Sequence, residues 1–76
     1  MMKMKINLDT QSDVLEFCKI VSGVNGEVRV VGVDGGQKVS INAKSLLGLL
    51  YCQTWNDIWC ESEQDIYSMI SKFAAD

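Results

Sequence analysis

The chain predicts a single α/β domain of the α+β kind: a four-stranded antiparallel sheet covered by three helices, an open-faced β-sandwich in the order βαββαβα. Three observations carry this. Period-two alternation opens the chain, apolar residues recur at helical spacing in separate segments, and Asp34-Gly35-Gly36 forms a tight turn between two strand-like runs. One domain, residues 1–76, accounts for the whole length.

Each element has its own signal. In residues 2–8, Met2, Met4, Ile6 and Leu8 alternate with Lys3, Lys5 and Asn7, the pattern of a strand with one buried face. Asp9-Thr10-Gln11-Ser12-Asp13 offers N-cap residues and a first-turn acid. Val14, Phe17, Cys18 and Val21 then follow at helical spacing, with Gly23 as the stop, so residues 11–22 read as an amphipathic helix. Residues 27–33 form a β-branched strand, and residues 37–42 alternate again, with Val39 and Ile41 on one face. Glycines tolerate the positive φ that the hairpin between these strands requires. Asn42 is positioned to cap a short helix over 43–51, and residues 54–61 read as the fourth strand. Ser62-Glu63-Gln64-Asp65 starts a last helix whose stripe is Ile66, Met69, Ile70 and Phe73.

Composition narrows the function classes. A chain of 76 residues buries only ~60–65% of the surface its unfolded form exposes, which leaves little room for a core plus a catalytic cleft. The expectation is therefore a non-enzyme. The net charge is −3 and no basic run is present, which argues against nucleic acid. No apolar run approaches the ~20 residues of a membrane span and no signal-peptide pattern opens the chain, so a cytoplasmic protein without membrane partners is expected. There is no histidine, and the three cysteines, Cys18, Cys52 and Cys60, match no metal-ligand spacing. They read as small hydrophobes, and neither metal nor cofactor is expected.

Phe17-Cys18-Lys19-Ile20-Val21-Ser22-Gly23 and, above all, Asn42-Ala43-Lys44-Ser45-Leu46-Leu47-Gly48-Leu49 resemble the HPr family, whose signature joins Ala-Lys-Ser to hydrophobic residues. HPr is the small phosphocarrier of the bacterial sugar phosphotransferase system. The resemblance extends to the order of elements over nearly the whole chain. It implies a catalytic histidine just before the first helix and an arginine close by, at a helix N-terminus that receives the phosphoryl group. Those places fall on or beside Thr10 and near Ser12, and neither residue type is there. Thr10, Gln11 and Ser12 thus mark a degenerate phosphocarrier site. A threonine hydroxyl cannot replace imidazole without an added base.

The resemblance also implies a role for Ser45. In Gram-positive relatives the matching serine is phosphorylated by an ATP-dependent kinase, which turns the protein into a regulator and a corepressor for a catabolite-control transcription factor. If Asn42 caps the helix, Ser45 lies in its first turn, where added negative charge is favourable. Leu46, Leu47 and Leu49 would form the adjoining docking patch. The partners expected are proteins of the phosphotransferase or catabolite-control type.

Two other surfaces offer alternatives. Trp55, Asp57 and Trp59 share one face of the fourth strand by alternation, which places Trp55 and Trp59 on the open sheet face as an interaction or homodimer surface, extended by Val31 and Val33 if these point outward. A bulge would flip the register and bury one tryptophan instead. A cysteine-based carrier using Cys52 or Cys18 ranks last, because no basic residue is placed to lower the pKa of either thiol. Glu61, Glu63 and Asp65 surround a helix start and read as dipole partners rather than acid–base catalysts.

Overall fold

In the computed structural model, which describes residues 1–75, the alternating segments form one sheet. Its strands are β1 (Met2–Ile6), β2 (Val28–Asp34), β3 (Gln37–Asn42) and β4 (Ile58–Ser62). The spatial order is β1-β4-β2-β3, and every pair is antiparallel. The β2–β3 turn has Gly35 at φ 58° and Gly36 at φ 81°, the two positive angles of a twist-matched hairpin. The helices are α1 (Gln11–Ser22), α2 (Leu46–Cys52) and α3 (Tyr67–Ile70), the last extended by a 3₁₀ turn over Ser71–Phe73. The fold is α+β, with a four-stranded antiparallel sheet and three helices.

Residues directly opposite across an antiparallel ladder share a face. One face carries the rows Met4–Cys60–Val30–Ile41 and Ile6–Ile58–Gly32–Val39. The helices pack on this face and supply Val14, Phe17 and Val21 from α1, Leu49 and Cys52 from α2, and Ile66, Ile70 and Phe73 from the C-terminal segment. Phe17 and Phe73 meet edge to face at 5.4 Å. The opposite face carries Lys3–Glu61–Arg29–Asn42, Lys5–Trp59–Val31–Ser40 and Val33–Lys38.

Helix α1 spans the predicted residues, because its start is determined locally. Thr10 Oγ1 accepts from the Asp13 amide at 3.0 Å, and Asp13 Oδ2 accepts from the Thr10 amide at 3.2 Å, a reciprocal capping box. Strand β3 also spans the predicted residues 37–42, and the remaining boundaries move. Helix α2 does not start at residue 43, because Ala43 is still tied to the sheet, its amide donating to Val28 O at 2.9 Å. Asn42 caps no helix: its side chain accepts from the Lys44 amide at 2.9 Å in a local turn. Ser45 is the N-cap, accepting from the Gly48 amide at 3.2 Å.

Strand β4 begins at Ile58, not at residue 54, because the chain after α2 continues in turns: the amides of Thr54 and Trp55 donate to Tyr51 O and Cys52 O. Ser62 ends β4, buried, rather than starting a helix. The last helix is shorter than its apolar stripe implied, and Met69 is exposed. The chain must return to the sheet: Asn7 and Ala75 donate to Phe73 O and Lys5 O, and Ala74 bridges Ile6.

Gly32 lies where three groups converge. A Cβ there would come within 2.8 Å of both Asp57 O and Trp55 Cε3 and 3.3 Å of Ile58 Cγ2. Gly32→Ala is expected to cost about 1–3 kcal/mol through overpacking, and urea denaturation measures it. An unchanged unfolding midpoint would mean that the connection above Gly32 yields.

Candidate functional site

Ser45 is exposed at the start of α2, with φ −94° and ψ 112°, half outside the helix. It is therefore the cap itself and not a first-turn residue. The leucines divide by their helical position. Leu46 and Leu47 stay 40% and 79% exposed, and Leu50 and Tyr51 extend the same apolar surface. Leu49 is 0% exposed and belongs to the core, so it cannot serve as a docking residue. Gly48 packs against Ile41 of β3 and seats the start of α2 on the sheet. At the far end, Tyr51 Oη donates to Asp34 Oδ2 at 3.0 Å, which ties α2 to the β2–β3 hairpin. That hydrogen bond, together with the Asp34 charge, raises the Tyr51 phenol above its usual value. Lys44, next to Ser45, turns away and donates to Val24 O at 2.6 Å.

The region of Thr10, Gln11 and Ser12 is an ordinary helix start in its geometry. The Asp13 carboxylate accepts from the amides of Asp9 and Thr10, each at 3.2 Å. A small polar cavity of about 70 Å³ lies alongside, lined by Asn7, Asp9, Gln53, Trp55 and Asn56 among others. It has room for a few waters and is well below the ~300 Å³ of a usual small-molecule site. Among the described residues, no cluster of histidine, cysteine or acidic side chains is placed to hold a metal ion.

The two tryptophans separate. Trp55 is not on the fourth strand; it lies in the turn after α2, 6% exposed, on the core side over Gly32. Tyr51 meets it edge to face at 5.8 Å. Its Nε1 finds no acceptor among the described residues. Trp55 is thus part of the core and not of a partner surface. The spacing Trp-x-x-x-Trp could not show this, because the strand begins four residues later than the alternation suggested. Trp59 does lie on the outer face, half-buried between Lys5 and Val31. The ammonium groups of Lys3 and Lys5 stand 5.8 and 5.9 Å from its ring centre.

The thiols are poor carriers. Cys52 Sγ donates to Leu49 O at 3.1 Å, and burial pushes its pKa to about 11. Burial, with a smaller contribution from the Glu61 charge, pushes Cys60 to about 12. Cys18 is half-buried, its Sγ 3.7 Å from Lys44 O. Alkylation of the native protein at pH 8 is expected to label Cys18 alone, with Cys52 and Cys60 reacting only in denaturant. Comparable labelling of two or three thiols in intact mass spectra would contradict their burial.

A stability consequence follows from the same thiols. Unfolded thiols ionise near 9.0, while Cys52 and Cys60 in the folded chain stay neutral to about 11 and about 12. Their folded pKa values are raised, so stability is full below pH 9.0 and falls as the pH rises toward 12. A double Cys52→Ala/Cys60→Ala variant should flatten that decline in denaturation curves recorded across this range, even if it is less stable throughout.

No helix is long and apolar enough to cross a membrane. Compared with family models, curated proteins and solved structures, the chain matches none.

Proposed function

We propose that the chain is a non-enzymatic, HPr-like regulatory protein related to the phosphoenolpyruvate-dependent sugar phosphotransferase system. It is not competent for histidine phosphotransfer and is regulated by phosphorylation at Ser45. One observation carries the reading: an exposed serine caps α2 directly beside the exposed Leu46, Leu47, Leu50 and Tyr51. Phosphorylation would place about two negative charges at the edge of an apolar surface, favouring partners with cations there and repelling acidic ones. In the reaction, Ser45 Oγ attacks the γ-phosphorus of ATP on a kinase, the hydroxyl proton leaves to the kinase's base, and ADP departs.

The arrangement of one helical layer on one sheet face, in the order βαββαβα, supports reading the fold as the open-faced β-sandwich that the resemblance implies. The residues at the first helix fit a lost carrier activity. The position that the resemblance gives to the histidine falls on or beside Thr10, which here caps α1 with Asp13. We place the protein in the cytoplasm, where sugar phosphotransferase and catabolite-control partners act. The alternative of an interaction or dimerisation module on the tryptophan-bearing sheet face loses Trp55 to the core and retains Trp59.

Incubation with ATP and an HPr kinase is expected to add a single phosphate to the intact mass, and Ser45→Ala to abolish it. The variant also loses its cap, so it should be less stable by about 1 kcal/mol, and folding must be checked by circular dichroism. A phosphate that persists in the folded variant, or no phosphate on the wild-type chain, would remove Ser45 from the regulatory role.

A further inference from the structure

The outer sheet face differs from the rest of the molecule in charge. Four of the seven cationic side chains, Lys3, Lys5, Arg29 and Lys38, belong to its cross-strand rows, against one of the ten carboxylates, Glu61. Asp57 and Glu27 border the same rows beside Lys5 and Arg29, so the cations of this face are largely balanced except around one groove, whose lining holds Lys3 and Lys38 and, among the described residues, no carboxylate. Three of these cations have a carboxylate neighbour: Lys3 with Glu61 at 3.5 Å, Lys5 with Asp57 at 3.4 Å, and Arg29 with Glu27 at 3.8 Å. Such exposed pairs are weak and exchange readily. Lys38 enters no ion pair among the described residues.

Between these cations runs an apolar groove of about 180 Å³, lined by Val31, Gly32, Val33 and Trp59, with Lys3 and Lys38 on its rim. It is too small for a usual cofactor and of a size for a single aliphatic or phenyl side chain. We propose that this face docks an acidic protein segment, inserting one apolar side chain between Val33 and Trp59 while flanking carboxylates pair with Lys38 and Lys3.

Two other occupants fit less well. A second copy docking by the same face would set lysines against lysines. Single-stranded nucleic acid would need a free ring for base stacking, and the ammonium groups of Lys3 and Lys5 already stand over Trp59. The proposal does not rest on Ser45, which lies on α2.

The test is a two-dimensional amide NMR titration of the full chain with the synthetic peptide Asp-Glu-Asp-Leu-Glu-Asp. Saturable shifts are expected at Val31, Val33, Lys38 and the Trp59 indole, with a dissociation constant on the order of 0.1–1 mM, typical of a small transient contact. Lys38→Glu and Val33→Ser, both exposed and able to leave the fold intact, should each weaken binding by about tenfold. Ser45→Ala should not change it, which keeps this result independent of the kinase experiment. Three outcomes would overturn the proposal. The first is no saturable shift. The second is equal binding of the peptide with glycine in place of leucine, which would reduce the contact to charge alone. The third is tighter binding of oligothymidylate at the same residues, which would reassign the face to nucleic acid.

Discussion

Residue 32 has room for a hydrogen and nothing larger, because the ring of Trp55 and the carbonyl of Asp57 lie 2.8 Å from where a Cβ would stand. That close approach lets the segment between α2 and β4 rest on the core face of the sheet. It sends Trp55 into the core and brings the chain to β4 so that Ile58 and Cys60 face inward. With those two inward, Trp59 faces outward. A side chain at 32 would lift this connection, and with it the seat of α2 and the start of the central strand.

The resulting molecule presents two unlike surfaces. On the helical side, α2 exposes leucines beside a serine cap, held between Gly48 on Ile41 and Tyr51 on Asp34. On the outer sheet face, lysines and one arginine surround an aromatic ring and two valines. A domain this small cannot enclose a large pocket and still keep a core. Its exposed apolar groups therefore lie on shallow surfaces. The start of α1 is held by the chain itself: Thr10 Oγ1 accepts from the Asp13 amide, and Asp13 Oδ2 accepts from the amides of Asp9 and Thr10.

The core consists of short contributions from every element. Phe17 and Phe73 come from opposite ends of the chain and meet edge to face, while Ala74 returns to β1 and closes that sheet edge. Cys52 and Cys60 act in it as small apolar residues whose burial keeps them neutral well above physiological pH. The β3 edge carries Lys38 in its interior, a charge that discourages strand addition by another chain.

The elements legible in the sequence were those whose signals are local. Helix α1 was readable from end to end, because Thr10 and Asp13 satisfy each other within four residues. The hairpin was readable because positive φ at two adjacent positions calls for glycine. The alternation of Lys3, Lys5 and Trp59 against Met4, Ile6 and Cys60 assigned their faces. The misplaced features depended on distant partners. Asn42 and Ser45 are both good caps, and only the bond from Ala43 to Val28 decides between them. Trp55 and Trp59 look equivalent by spacing, and only the empty place at Gly32 separates the buried ring from the outer one. Leu49 and Leu47 are both leucines on one short helix, and only the direction in which α2 lies on the sheet decides which is core. The sequence by itself determined the number and kind of elements and the absence of an imidazole, because these depend on residue identity and near neighbours. The tertiary structure decided which apolar residues remain on the surface, because burial depends on what the rest of the chain places above them.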